Sequence, residues 1–251
     1  MTRFREIAAE IRDRISAGSE GYSPGDRLPP QKALAEEFAV SQPVVQRAIL
    51  VLRAEGLVRI ERGTGTVVHE IQPIVRNATA RYTKTAREQG QSRGAFATEV
   101  RNLGHTPRSE LVKLGPVSPP QEIAEIFGFG RDDVAAIRHR HMKADDTPVQ
   151  IATSYVPWTI AKDTPITQED TGPGGTYSRL EELGHRVTRF TERIRTRPPT
   201  EEEAGFLRLG EDQPVYSVLH IAYTEDGTPV EVTQHVMPTF QWILEYEWAA
   251  D

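Results

Sequence analysis

The 251-residue sequence contains no cysteine. That absence excludes disulfides, thiol catalysis and cysteine-type zinc sites together, and it fits a reducing compartment. Long apolar runs are missing too. None approaches eighteen residues and the mean hydropathy is −0.49, which argues against a membrane-spanning helix. The opening stretch MTRFREIAAEIRDRIS lacks the apolar core of a signal peptide, and its Glu6, Glu10 and Asp13 are foreign to an acid-poor transit peptide. A cytoplasmic protein with no membrane partner is therefore expected. What remains is ordinary for a globular chain, with 37% hydrophobic and 26% charged residues, and the length suits one large domain or two modest ones.

A surplus of positive charge is also lacking, since the net charge is −6. Its distribution is uneven. Residues 1–94 carry 15 Lys and Arg against 11 Asp and Glu, whereas residues 95–251 carry 15 against 25. A mildly basic first half and a strongly acidic second half imply different partners.

In the first half, Phe4, Ile7, Ala8, Ile11 and Ile15 recur at helical spacing and predict an amphipathic helix over residues 3–17, closed by Gly18. Pro29-Pro30 opens a second, short helix carrying Ala33, Leu34, Ala35 and Phe38. Ser41 is placed to cap a third helix with Pro43 in its first turn. On that helix Val45, Ala48, Ile49 and Leu52 face inward, while Gln42, Pro43, Val44, Gln46 and Arg47 face solvent. Two helices joined by a short turn describe a helix-turn-helix. Leu57–Ile60 and Thr66–Val68 flank Glu61-Arg62-Gly63-Thr64-Gly65, predicting a hairpin whose glycines allow positive φ and close approach to a phosphate. Such a hairpin is a wing.

These residues carry a resemblance. Residues 4–68, with F-x-x-I-A-x-x-I, PGDRLPPQKALAEEFAVS, RAILVLRAEGLV and RGTGTVV, resemble the winged helix of the GntR family of bacterial transcription regulators. The resemblance implies that Lys32, Gln42, Val44 and Gln46 approach double-stranded DNA, and that Gly63, Thr64 and Gly65 lie along the minor groove or the backbone. Arg5, Lys32, Arg47, Arg59 and Arg62 are expected as positioning charges, with Ser41 and Pro43 completing the surface. Where the family commonly has Ser-Glu this chain has Pro30-Gln31, and where it commonly has arginine on the recognition helix this chain has Gln42 and Gln46. Arginine prefers guanine O6/N7 while glutamine pairs bidentately with adenine N6/N7, each pair discriminating by roughly 1–3 kcal/mol. An A·T-richer operator and fewer phosphate contacts are the consequence.

Residues 70–94 are polar, with five basic residues against two acids and no sustained apolar period. They read as a linker between a DNA-binding domain at 1–69 and a second domain at 95–251. The second domain contains an internal repeat. Val134–Pro157 aligns without gaps onto Val215–Pro238, with identities at His139/His220, Asp145/Asp226, Thr147/Thr228, Pro148/Pro229, Val149/Val230 and Pro157/Pro238. Upstream, Glu122 to Gly130 mirrors Glu202 to Gly210, with Pro214 as a one-residue insertion. Each unit reads as helix, glycine stop, strand, tight turn and return strand, so the pair predicts one antiparallel sheet with helices on one side. A helix at Thr176–Gly184, a strand at Val187–Arg197 and an aromatic-rich strand at Phe240–Trp248 are also expected.

Several short motifs carry a second resemblance: Phe96-x-Thr98-Glu99, Leu103-Gly104-x-x-Pro107, Ala144-Asp145-Asp146-x-Pro148, Thr153-Ser154-Tyr155-Val156-Pro157, Tyr177-x-x-Leu180-x-x-x-Gly184 and Asp226-Gly227-x-Pro229-Val230-Glu231. Together they resemble UTRA, the effector-binding domain of HutC-type GntR regulators. The fold this implies is α+β, an N-terminal winged helix-turn-helix followed by an antiparallel-sheet effector domain of chorismate-lyase-like fold. A homodimer and a small-molecule effector are implied with it. Against the pocket of the sugar-phosphate-sensing members, Thr98, Arg140 and Glu231 match. Met142 replaces a second arginine, Ala152 a glutamate, Gly175 a serine and Met237 a tyrosine. Phe96, Ser154, Tyr155, Thr176 and Tyr177 complete the candidate effector site. Trading phosphate-clamping donors for apolar surface argues against a phosphosugar and for an otherwise apolar effector, a secondary metabolite or an acid-bearing small molecule, with Arg140 and Thr98 holding one carboxylate or other acceptor.

His139 and His141 fall on the strand face opposite Arg140 and, with His220, raise the question of a metal. No histidine or carboxylate spacing completes a coordination set, so core or interface histidines and no metal are expected. There is no nucleophile elbow, His-Glu metal motif or Walker loop, hence no catalytic residue and no cofactor. The sequence reads as a ligand-responsive regulator, a repressor released from an inverted-repeat operator by its effector. The alternatives are a constitutive repressor whose effector site has decayed, and a lyase-like enzyme.

Overall fold

A computed structural model describes residues 2–61, 63–71, 73–79, 81, 94–172, 174–210 and 213–250. The chain divides into two compact units, Met1–Pro73 and Ile74–Asp251. Among the described residues no helix is long and apolar enough to cross a membrane.

The first unit contains α1 (Arg3–Ser16), α2 (Gln31–Glu37), α3 (Gln42–Ala54), β1 (Val58–Glu61) and β2 (Gly65–Val68). Its apolar stripes meet in one core of Ile7, Ile11, Leu28, Leu34, Phe38, Val45, Ile49, Leu52, Val58 and Val68. Each buried Leu or Ile contributes roughly 1.5–3 kcal/mol, so the inward face of α3 is firmly held. The second helix is shorter than its apolar pattern suggests, and Ala33 is exposed on it. β1 and β2 pair antiparallel as the expected wing.

The second unit opens with β3 (Ile74–Asn77) and α4 (Gly94–Asn102). Then come β4 (Pro107–Val117), α5 (Gln121–Phe127), β5 (Ala135–Ala144), β6 (Thr147–Pro157) and α6 (Trp158–Ala161). After a 3-10 turn at Pro165–Thr167 follow α7 (Gly175–Glu182), β7 (Val187–Arg197), α8 (Glu201–Leu207), β8 (Val215–Thr224), β9 (Pro229–Pro238) and β10 (Trp242–Glu245). Six strands form one antiparallel sheet in the order β4-β5-β6-β9-β8-β7. The expected α+β arrangement holds, but the helices are not confined to one side. Ile123 of α5 packs with Ile137, Tyr155 and Ile221, and Leu207 of α8 with Ile151 and Val236. The other face packs Ala136, Val156 and Ala222 against Ala161, Ile166 and Leu180. Successive residues of a strand face opposite ways, so both faces bury apolar side chains and both need a cover.

Two expectations at the edges of this unit need correction. The stretch read as a linker contains β3, which pairs in parallel with β10. Its buried positions are Ile74 and Arg76, and an arginine in an inward position hides the alternation that marks a strand. Arg81 likewise pairs with Glu99 of α4 at 3.5 Å. Residues 82–93 of that stretch lie outside the described residues. At the other end β10 is only four residues long and buries Trp242, while Trp248 lies beyond the strand and is 80% exposed.

The repeat is real but slips by one residue. Thr153 and Gln234 pair with each other at the centre of the sheet. Across the outer ladders Thr153 meets His139, whereas Gln234 meets Leu219. The first hairpin turns on two residues, Asp145 and Asp146, and the second, closed by the Thr224 N–H donating to the Thr228 carbonyl at 3.0 Å, on three, Glu225, Asp226 and Gly227. The extra residue therefore sits in the turn. Pro214 is no insertion, since Phe127 to Ala135 and Leu207 to Val215 are the same distance apart in sequence. A one-residue slip turns every side chain to the other face. His139 and His141 accordingly lie on the α5 and α8 side, where His141 stacks on Phe206 with ring centroids 3.8 Å apart. His220 lies on the opposite side, in the same place as Arg140. The three histidines cannot converge, and among the described residues no group of three His, Asp, Glu or Cys could hold a metal ion.

Candidate DNA-reading surface and effector cleft

On α3 the buried residues Val45, Ala48, Ile49 and Leu52 fix the helix by one face, which leaves Gln42, Pro43, Gln46 and Arg47 exposed on the other. Val44 is half-buried and packs on the core, so only part of it can meet a base edge. Ser41 stands at the N-cap without a side-chain capping bond. Its carbonyl accepts the Val44 N–H at 3.0 Å, and its hydroxyl is left for another partner. Gly63 and Thr64 form the exposed wing tip, where Gly63 (φ 84) and Gly65 (φ 107) need the left-handed freedom of glycine. Arg62 lies outside the described residues.

The cations of this unit fall into two groups. Arg3 pairs with Glu6, Arg12 with Glu55, Arg14 with Glu10 and Glu37, and Arg59 with Glu61 and Glu70. Arg59, expected as a positioning charge, is thus already paired with two carboxylates. Among the described residues Arg5, Arg27, Lys32 and Arg47 have no carboxylate partner and are exposed. Three of them are sequence-predicted contacts. Arg27 is not.

In the second unit a cleft of about 570 Å³ opens on the sheet face that carries Arg140. Phe96, Arg140, Met142, Gly175 and Thr176 line it, together with residues that sequence reasoning missed: Arg138, Arg108, Ser109, Leu111, Glu169 and Asp170 among them. Ala152, Ser154, Glu231 and Met237 point to the same face but lie buried outside the lining. Ser154 accepts from Arg140 Nη2 at 3.1 Å and bonds Thr233 Oγ1 at 2.7 Å, so it orients the arginine from below. Tyr155 is on the opposite face beside Ile123, Tyr177 packs edge-on to Phe190, and Thr98 is exposed on α4. None of those three lines the cleft.

Arg138 could have been found from the sequence, because it stands two residues before Arg140 on one strand. Its guanidinium donates to the carbonyls of Ile166 at 2.9 Å and Glu169 at 3.0 Å, and to that of Gln168, holding the loop that forms one wall. Burial, followed by the neighbouring Arg140 charge, pushes its pKa down to about 10. At the floor, Gln150 Nε2 donates to Met142 Sδ at 3.2 Å and to His235 Nδ1 at 3.0 Å. His235 is buried, and that burial together with the Arg76 charge holds its pKa well below the usual value, so it accepts as a neutral imidazole. Phe96 of the lining lies against Trp242 of β10, with ring centroids 6.4 Å apart, and the Trp242 indole N–H donates to the Val149 carbonyl at 2.7 Å.

The equivalent place in the second half is filled. Arg76 of β3 is fully buried and donates to Glu192 of β7 through Nη1 and Nη2. Glu192 also receives His220 Nδ1 at 2.9 Å and the Tyr246 hydroxyl at 2.5 Å. Burial alone would raise the Glu192 pKa, but the bonds from His220 and Arg76 hold it far below the carboxylate range.

Comparison with known proteins agrees with both units. Residues 4–68 match the gntR family of bacterial regulatory proteins, and residues 102–240 match the UTRA domain. An uncharacterized HTH-type transcriptional regulator of Streptomyces coelicolor is 30% identical, over 98% of this chain and 93% of its own. The HTH-type transcriptional repressor NagR of Bacillus subtilis is 25% identical, over 93% of this chain and 89% of its own. The crystal structure of PhnF from Mycobacterium smegmatis shares the fold, with a TM-score of 0.61 and 20% identity over 98% of this chain and all of its own. The chain belongs to the GntR family of bacterial regulatory proteins, with UTRA as its second unit, and it is a ligand-responsive, DNA-binding transcription regulator rather than an enzyme.

Proposed function

We propose that this regulator is a cytoplasmic homodimeric repressor that leaves an inverted-repeat operator when its cleft takes up a small, largely apolar molecule bearing one acid. The carrying observation is the cleft itself. It sets Arg140, oriented by Ser154, beside Phe96, Leu111 and Met142, with Ala152 beneath. The lining is otherwise mixed, but Arg108 is paired with Asp146 and Arg138 with the carbonyls of the 166–169 loop, and Glu169 and Asp170 add negative charge, so Arg140 beside Phe96, Leu111 and Met142 suits one carboxylate better than the several anionic oxygens of a phosphosugar. Repression is supported by the similarity to a named repressor. A dimer is supported by the outer strands β4 and β7, which expose Val112 and Ile194 along edges that have no further strand among the described residues. A two-fold dimer presents two recognition helices to two half-sites about one helical turn apart. The effector then acts by binding the two arrangements of the dimer unequally.

The test is a thermal-shift screen of the full chain against aromatic and aliphatic carboxylates and sugar phosphates, followed by release from a DNA duplex selected by the chain itself. A carboxylate that both stabilises the protein and releases the DNA supports the proposal. A sugar phosphate doing so overturns the effector class, and no stabiliser in either class favours a constitutive repressor.

A further inference from the structure

We infer that Arg27, at the base of the wing, is a phosphate contact of the DNA reader that sets its grip without reading sequence. The segment around it is a third, short strand of the wing. The Gly25 N–H donates to the Val68 carbonyl at 3.1 Å, the Val68 N–H to the Asp26 carbonyl at 2.9 Å and the Leu28 N–H to the Thr66 carbonyl at 2.9 Å, with Arg27 bridged to Val67. Leu28 is buried on one side of that strand, which turns Arg27 outward on the other.

The exposed side chain lies over Gly65, where a Cβ would stand 3.1 Å from Arg27 Nε and 3.3 Å from Nη2. Glycine at 65 therefore serves two ends: it permits φ 107, and it leaves room for a guanidinium laid flat on the wing backbone. Backbone packing, not an acid, holds this arginine. Among the described residues it has no carboxylate partner, whereas Arg3, Arg12, Arg14 and Arg59 of the same unit are each neutralised. A guanidinium positioned in advance beside the wing tip, with its donors unspent, is suited to a phosphodiester oxygen of the strand that Gly63 and Thr64 follow.

The test uses the full chain and a duplex that it has itself selected from random DNA, with a scrambled duplex beside it. Binding is measured over a salt series for the parent, Arg27→Ala, Arg27→Gln and a control, Arg12→Ala, which removes a cation already paired with Glu55. Arg27→Gln keeps the stem on Gly65 should the alanine variant fail to fold. Losing one phosphate contact lowers the slope of log affinity against log salt by about 0.9, which is about eightfold in affinity at 0.1 M salt. That loss is expected for both Arg27 variants, on both duplexes alike, and not for the control. An unchanged slope overturns the inference. So does a loss confined to the selected duplex, which would mean base reading, or an equal loss in Arg12→Ala, which would mean net charge alone.

Discussion

Arg140 and His220 occupy the same place in the two halves of the sheet, one opposite Ala152 and the other opposite Thr233, although the sequence repeat aligns His220 with His139. One architectural position is thus used twice. Around Arg140 the face is open and forms the cleft; around His220 it is closed by Glu192, Arg76 and Phe190. The same fold supplies a binding site in one half and an internal strut in the other.

The strut should dominate stability. Glu192→Ala leaves Arg76 buried without its main partner and should cost roughly 3–5 kcal/mol in urea unfolding. Replacing both residues together, Arg76→Met with Glu192→Met, should recover most of that loss. A single variant no less stable than the parent would show that the pair does not bear on folding.

Stability should fall on mild acidification. His220 and His235 have pKa values lowered chiefly by burial, so each is neutral when folded and takes up a proton on unfolding once the pH drops below about 6.5. The unfolded state then binds more protons, and stability declines by up to about 1.4 kcal/mol per pH unit for each histidine. Glu192, whose folded pKa is depressed, adds a further loss at lower pH, as the medium passes below the usual carboxylate range. Melting temperatures from pH 7.5 to 5.0 check this; His235→Gln should flatten the profile, and a flat profile in the parent would contradict it.

Arg208 closes α8 at φ 56, ψ 42, the position where Gly128 closes α5 at φ 68, ψ 30. Left-handed backbone costs a residue with a Cβ roughly 1–2 kcal/mol. Arg208→Gly should therefore raise stability by about 0.5–1 kcal/mol after the added freedom of the unfolded chain is counted, and Gly128→Ala should lower it by a comparable amount. Chemical denaturation of the two variants gives opposite signs if the geometry is right.

Much of this was legible in the sequence, and the exceptions have physical causes. Helical spacing gave the inward face of α3, and strand alternation with the Asp-x-Thr-Pro turns gave both hairpins. The face of His220 was hidden because an ungapped alignment cannot reveal that Asp145-Asp146 and Glu225-Asp226-Gly227 are turns of different length. β3 was hidden because Arg76, a charged residue, fills a buried position that only its distant partner Glu192 explains. Of the twelve candidate effector residues, those on α4, β5 and α7 that reach the cleft were found by motif. Arg138 was missed because the motif directed attention to Arg140 and Met142 instead.

Arg138 ties the 166–169 loop to the sheet, so Arg138→Met should loosen one wall of the cleft without touching the first unit. Operator affinity should stay within about twofold of the parent, while an effector found by thermal shift should bind at least tenfold more weakly, from the loss of charged hydrogen bonds. Equal weakening of both activities would place the defect in folding.

Gln46→Arg should move base preference at one operator position from adenine toward guanine, with discrimination of roughly 1–3 kcal/mol. Selection of bound sequences by parent and variant reads this directly. An identical preference at every position would remove Gln46 from the recognition surface.

The parallel pair of β3 and β10 has one more consequence, for how this protein can be cut. A fragment begun at residue 95 would discard Ile74–Asn77 and strand β10 without its partner, exposing Trp242 and leaving Glu192 without Arg76. Clipping the chain before Trp242 would do the reverse and free the segment that follows the DNA reader. The far end of the sequence is in this sense the clasp for the segment that opens the second unit, and an effector unit prepared alone should start at or before Pro73 and keep its last strand.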